Sequence, residues 1–165
     1  MRSARRIGLY AVILGLALGL GATLAAQADP FMGTWVLNAE KSEFNTTGAG
    51  ARARTITIAA KADKISHMQD TFRVGQDAVQ RLTYEAKYDG KDYGPVIGGA
   101  FDMVSFTRTG TTLVRKAKNM GKEVETATYT LSPDGKTMTV VTTGNNYGVE
   151  YGSTQVFEKK AAGTN

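Results

Sequence analysis

Few residues in this chain can do chemistry, and their kinds suit holding a molecule better than transforming one. His67 is the single histidine and there is no cysteine, so multi-histidine metal sites, thiolate metal sites and cysteine nucleophiles cannot be assembled. No proton-transfer partner for His67 can be named from the sequence, and it reads as a hydrogen-bonded structural histidine on the same strand face as Ile65. Asp63, Asp70, Asp77, Asp89, Asp92 and Asp102 mostly sit in or beside turns, where aspartate serves local backbone hydrogen bonds. Asp134-Gly135 shares letters with a calcium loop but lacks its alternating oxygen ligands and terminal glutamate. Gly98-Gly99 lacks the Gly-Lys-Ser/Thr ending of a phosphate loop and reads as a flexible connection. No metal, no cofactor and no catalytic residue is expected. What remains is tyrosine, at 84, 88, 93, 129, 147 and 151, whose apolar ring and single polar tip can fix an amphipathic ligand. Strands also use tyrosine simply because it packs well on a pleated surface.

The elements that must position these side chains are strands. From Gly33 onward β-branched and aromatic residues recur in short runs interrupted by turn residues, and no amphipathic helix is evident. Asp89-Gly90, between Leu82 to Tyr88 and Lys91 to Tyr93, predicts a hairpin, because both turn positions favour positive φ. Ser132-Pro133-Asp134-Gly135 predicts another, between Val124 to Leu131 and Lys136 to Thr143. Turns at Thr109-Gly110 and Asn119-Met120-Gly121 complete a four-strand meander from Phe101 to Thr143. Further strands are expected at Thr34 to Leu37, Arg54 to Ala60, Lys64 to Met68 or beyond, Val79 to Tyr88 and Tyr151 to Glu158, about nine or ten in all. Alternation turns Leu82, Tyr84, Ala86 and Tyr88 inward, while the faces of 101–108 and 111–118 sort less clearly, as a partly polar interior would require. So many antiparallel strands without covering helices make a sandwich or a closed barrel, and consecutive hairpins favour an all-β, antiparallel up-and-down barrel. Such a barrel has room for side chains or one small ligand. Leu82, Tyr84, Tyr88, Tyr129, Met138 and Val140 are the candidates to line its cavity.

The barrel is preceded by a segment of a different kind. Arg2, Arg5 and Arg6 are followed by uncharged, Leu-, Ala- and Gly-rich sequence from Ile7 to Ala26, and Ala26-Gln27-Ala28 has the small-x-small form of a signal-peptidase site. Residues 1–28 are therefore expected to be a helical signal peptide cleaved after Ala28, leaving one domain, 29–165, in the periplasm or outside the cell. A retained anchor is the competing reading, since the apolar run is long enough to span a bilayer. Cleavage removes three of the 20 basic residues and none of the 15 acidic ones, leaving 17 against 15, a formal charge of +2. That small charge, with no basic-aromatic cluster, excludes a nucleic-acid footprint. Asn45-Thr46-Thr47 is a glycosylation acceptor, relevant only in a eukaryotic secretory route.

The segment Gly-Thr-Trp-Val-Leu-Asn-Ala-Glu-Lys-Ser-Glu-Phe at 33–44 resembles the Gly-x-Trp opening of the lipocalin and wider calycin superfamily, and more closely that of exported bacterial lipocalin-like proteins. Tyr-Glu-Ala-Lys-Tyr-Asp-Gly-Lys-Asp-Tyr at 84–93, Leu-Ser-Pro-Asp-Gly-Lys-Thr-Met-Thr-Val at 131–140 and Val-Phe-Glu-Lys at 156–159 fit the same group in order. The resemblance implies a β-barrel with a ligand cavity and no settled activity. It also implies that Trp35 plugs the closed end, with a basic residue of the last strand, Lys159 or Lys160, over its ring. The function expected is binding of a small apolar or amphipathic molecule. The alternative is a cell-envelope interaction module with a filled barrel and an apolar surface patch near Tyr147 to Tyr151. An enzyme using Tyr and Asp ranks third, because no nucleophile and base can be paired.

Overall fold

The computed structural model describes residues 29–45, 51–73, 75, 77–146 and 148–161. The signal segment with its cleavage site, Tyr147, and Thr46 and Thr47 of the glycosylation acceptor lie outside the described residues. Nine strands follow one another: β1 (Gly33–Asn45), β2 (Ala51–Lys61), β3 (Lys64–Arg73), β4 (Gln80–Ala86), β5 (Met103–Thr109), β6 (Thr112–Asn119), β7 (Lys122–Leu131), β8 (Thr137–Asn146) and β9 (Val149–Lys159). They form one antiparallel sheet in the order β4-β3-β2-β1-β9-β8-β7-β6-β5, which curls into a nearly closed barrel.

Local chemistry explains most joints. At Ser132–Gly135 the backbone bonds Ser132 N to Thr137 O and Gly135 N to Ser132 O, while Asp134 Oδ1 accepts from Lys136 N at 3.0 Å. β1 runs well beyond the expected Leu37 because a bulge between Asn38 and Glu43 hides its alternation. There Asn38 Oδ1 accepts from Lys41 N and Ser42 Oγ accepts from Val156 N, so side chains satisfy the backbone that the bulge leaves unpaired.

The Asp89-Gly90 hairpin does not form. Asp89 makes a local turn, its Oδ1 accepting from Lys91 N, but Gly90 N donates to Phe106 O and carries the chain across to β5 instead of back along β4. Residues 87–102 thus become a strap over the gap between β4 and β5. Ile97 exchanges two backbone hydrogen bonds with Thr83 of β4, each 2.9 Å, and Tyr93 exchanges two with Val104 of β5, at 2.7 and 2.8 Å. Gly98, expected in a flexible connection, is pinned. Its φ is +80°, and a Cβ there would lie 1.9 Å from the Arg81 carbonyl oxygen. Gly98→Ala combines the left-handed penalty with a backbone clash and is expected to cost about 2–4 kcal/mol in denaturant unfolding.

Inward positions follow the two-residue period. They include Ile56 and Ile58 of β2, Tyr84 and Ala86 of β4, Leu113 and Ala117 of β6, Tyr129 and Leu131 of β7, Met138 and Val140 of β8, and Phe157 of β9. One end is shut by the turn at 29–32. Phe31 and Trp35 are fully buried, and Trp35 Nε1 donates to Phe31 O at 2.9 Å. Lys159, register partner of Trp35, lays its Nζ 4.9 Å from the centre of the indole and donates to Pro30 O at 2.8 Å. Arg108 adds a second cation, 5.4 Å from the Phe31 ring centre and 2.9 Å from Asp29 Oδ2.

Candidate functional site

Each inward row changes character along the barrel axis. On β2 it runs from Ile58 and Ile56 to Arg54; on β7 from Leu131 and Tyr129 to Glu125; on β8 from Val140 to Thr142; on β9 from Phe157 to Gln155 and Ser153. The apolar ends meet at the Trp35 plug. The polar ends surround a cavity of about 270 Å³, with Ile56, Leu82, Val140 and Phe157 on its apolar walls and Arg54, Gln69, Thr71, Arg115, Glu125 and Gln155 among its polar ones.

Two guanidiniums dominate the polar end. Arg54 donates from Nε to Thr71 Oγ1 at 3.0 Å and from Nη1 to Gln155 Oε1. Burial, then the neighbouring Arg73, draws its pKa down to about 10, so it keeps its charge at neutral pH. Arg115 is buried on β6 and pairs through Nη2 with Glu125. Burial opposes its charge, but Tyr129, Tyr84 and Glu125 outweigh that and raise its pKa above the usual guanidinium value. Its face lies on the Phe101 ring, 5.2 Å from the centre, and its Nε is a buried donor with no hydrogen-bonding partner. Tyr151 donates to Glu125 Oε2 at 2.8 Å, and its ring covers Gly144, where a Cβ would stand 2.3 Å from Tyr151 Cζ.

Of the residues expected to line a cavity, the structure brings Leu82, Tyr129 and Val140 to it. Tyr84 and Met138 are buried in the surrounding core, and Tyr88 lies toward the plug, where Arg108 stands 5.7 Å from its ring centre. The reason is position along the strand: each two-residue step moves a side chain along the axis, so sharing an inward face does not mean sharing a level. Lys159 stands over Trp35, whereas Lys160 is exposed and bonds through its backbone N to Thr34 O. Tyr151, expected at a surface patch, turns its hydroxyl inward to Glu125. The expectation missed Arg54, Arg115, Glu125 and Gln155. Arg115 had a legible signal, since it alternates with Leu113 and Ala117 on the strand whose faces sorted poorly.

His67 stacks on Tyr84, ring centres 4.5 Å apart and planes 9° from parallel, and its Nε2 has no hydrogen-bonding partner. It is therefore held by stacking where a hydrogen bond was expected. Burial, then the positive Arg115, lowers its pKa to about 3. The folded state thus binds this proton less readily than the unfolded chain, so the stabilisation is complete above the unfolded value near 6.5 and declines as pH falls toward the folded value. Between about pH 7.5 and pH 5 the loss is expected to be about 2 kcal/mol. Urea unfolding at both values should show it, and His67→Phe should flatten the difference. Among the described residues no group of three or more His, Cys, Asp or Glu could hold a metal ion.

No family model and no curated protein sequence matches the chain. Solved structures do. Zebrafish ileal bile acid-binding protein complexed with cholic acid aligns with a TM-score of 0.56 at 13% identity, covering 80% of this chain and 100% of that one. A mutant of the REP1-NXSQ fatty acid transporter aligns at 0.52 and 15% identity, covering 78% and 97%. The fatty-acid-binding protein isolated from Manduca sexta aligns at 0.50 and 17% identity, covering 78% and 98%. At these identities the likeness is one of fold, and the fold is a lipocalin- or calycin-like barrel. By their names these neighbours are binding and transport proteins.

Proposed function

We propose that this protein is an exported carrier or sensor that binds one small amphipathic molecule inside the barrel. The observation that carries the reading is the axial change in the inward rows, which puts apolar walls and three arginines, Arg54, Arg73 and Arg115, around a single cavity. A tail would lie against Ile56, Leu82, Val140 and Phe157, and a negatively charged head would sit near Arg54. At about 270 Å³ the cavity falls just below the roughly 300–1,000 Å³ usual for ligand pockets, which suits a short-chain molecule. Cholic acid and fatty acids, named with these neighbours, have the same amphipathic character. Export rests on the basic start, apolar run and Ala-x-Ala site of residues 1–28.

Octanoate is a suitable probe. Calorimetric titration should saturate near one molecule per chain, and Val140→Phe, which puts a ring into the cavity, should weaken binding by roughly ten-fold or more. No saturable binding, or equal binding by Val140→Phe, overturns the reading. Native mass spectrometry of protein purified from its host should show a co-purifying small molecule. N-terminal sequencing of protein exported by a Gram-negative host should begin at Asp29, and recovery of Met1 would overturn cleavage.

A further inference from the structure

Two of the cavity arginines, Arg115 and Arg54, have different kinds of partner. Arg115 is engaged by a carboxylate: Nη2 pairs with Glu125, Nη1 lies 3.4 Å from the Tyr84 hydroxyl, and the Phe101 ring covers its face. Glu125 is fixed from its other oxygen by the Tyr151 hydroxyl. Arg54 is held by the neutral oxygens of Thr71 and Gln155. Arg73 also borders the cavity on its Gln80 side, half-exposed, where it donates to the exposed Gln80. Glu125 therefore offsets the charge of Arg115, whereas Arg54 has no carboxylate among its hydrogen-bonding partners.

A carboxylate in the wall of an anion site is the opposite of what attraction alone would place there. Specificity, however, can come from repelling the wrong partner as well as attracting the right one. We propose that Glu125 is a specificity-determining residue, a built-in counter-anion that occupies Arg115 and restricts the ligand head to a single negative charge anchored on Arg54. The inference rests on the amphipathic-ligand reading and adds the charge class of the head. A monoanion such as a carboxylate balances Arg54. A dianion such as a phosphate monoester brings a second charge that meets Glu125 instead of a free guanidinium, in an interior where such repulsion is weakly screened.

Three probes with one tail separate the terms: octanol, octanoate and octyl phosphate, titrated at about pH 8, where the phosphate is a dianion. The wild-type protein is expected to prefer octanoate to octyl phosphate by roughly ten-fold or more. In Glu125→Gln, Arg115 is released, and the affinity ratio of octyl phosphate to octanol should rise by roughly ten-fold or more. In Arg54→Gln the ratio of octanoate to octanol should fall by a similar factor, roughly ten-fold, although Arg115 remains. Ratios to octanol cancel changes in cavity shape. Arg54, which is half-exposed, carries the test should Glu125→Gln not fold. An unchanged phosphate ratio in Glu125→Gln, or an unchanged octanoate ratio in Arg54→Gln, overturns the assignment while leaving ligand binding intact. A wild-type protein that binds none of the three overturns the amphipathic-ligand reading, and this inference with it.

Discussion

Trp35→Ala should cost about 3–5 kcal/mol of stability, the range for truncating a large buried aromatic. Trp35 is fully buried at the shut end of the barrel, and its indole N–H is spent on Phe31 O. Truncation leaves a cavity beneath the 29–32 turn and frees that carbonyl at once. The two losses act on the same joint, since Phe31 is itself fully buried and Lys159 bonds to Pro30 O. In thermal unfolding the midpoint should drop by about 10–20 °C for a chain of this size. Lys159→Met should cost far less, about 1 kcal/mol, because an exposed cation over a ring contributes little. Trp35 is the only tryptophan, so wild-type unfolding can be followed by its fluorescence alone and the variant must be followed by circular dichroism.

Arg115→Met should be nearly as damaging, about 3–5 kcal/mol, for an electrostatic reason. The substitution preserves much of the volume but leaves Glu125 without its cation inside the barrel. Burying two charges is costly even when they are paired, so the double variant Arg115→Met/Glu125→Leu should regain most of the loss. A double-mutant cycle by urea unfolding measures this, with a coupling energy of about 2–3 kcal/mol expected between the two sites. Equal and additive losses would show that Arg115 acts through packing on Phe101 and not through its charge.

Barrel topology was legible because its signals are local. Turn residues at Thr109-Gly110, Met120-Gly121 and Pro133-Asp134-Gly135 mark joints that the structure forms, and period-two alternation at Leu82, Tyr84 and Ala86 turns those residues inward as expected. Two local signals misled. Asp89-Gly90 has the letters of a hairpin, but β5 offers Phe106 O to Gly90 N, and this long-range bond overrides the turn's preference. The stretch from Asn38 to Glu43 has no clean period, because a bulge shifts the register between two halves of one strand. The site was less legible than the fold. Alternation sorts inside from outside but not one level of the barrel from another, so Met138 and Val140 look equivalent in sequence while Val140 alone of the two lines the cavity. The inward rows also carry charged residues, which an apolar pattern does not mark. Arg54 lies two residues from Ile56 and Glu125 two residues from Ala127, so the same count that found the core would have found the site.

The strap at 87–102 has a consequence for how the molecule meets copies of itself. A nine-stranded sheet that does not zip β4 to β5 leaves two edge strands, and free strand edges template the addition of further strands. Ile97 takes both hydrogen-bonding groups of Thr83, and Tyr93 takes both of Val104, so the strap occupies pairing positions on each edge that another chain would otherwise find. Damage to it should therefore appear first as concentration-dependent association. Gly98→Ala, or a proteolytic nick between Gly90 and Gly98, should shift the protein toward larger species in light scattering before its circular dichroism changes.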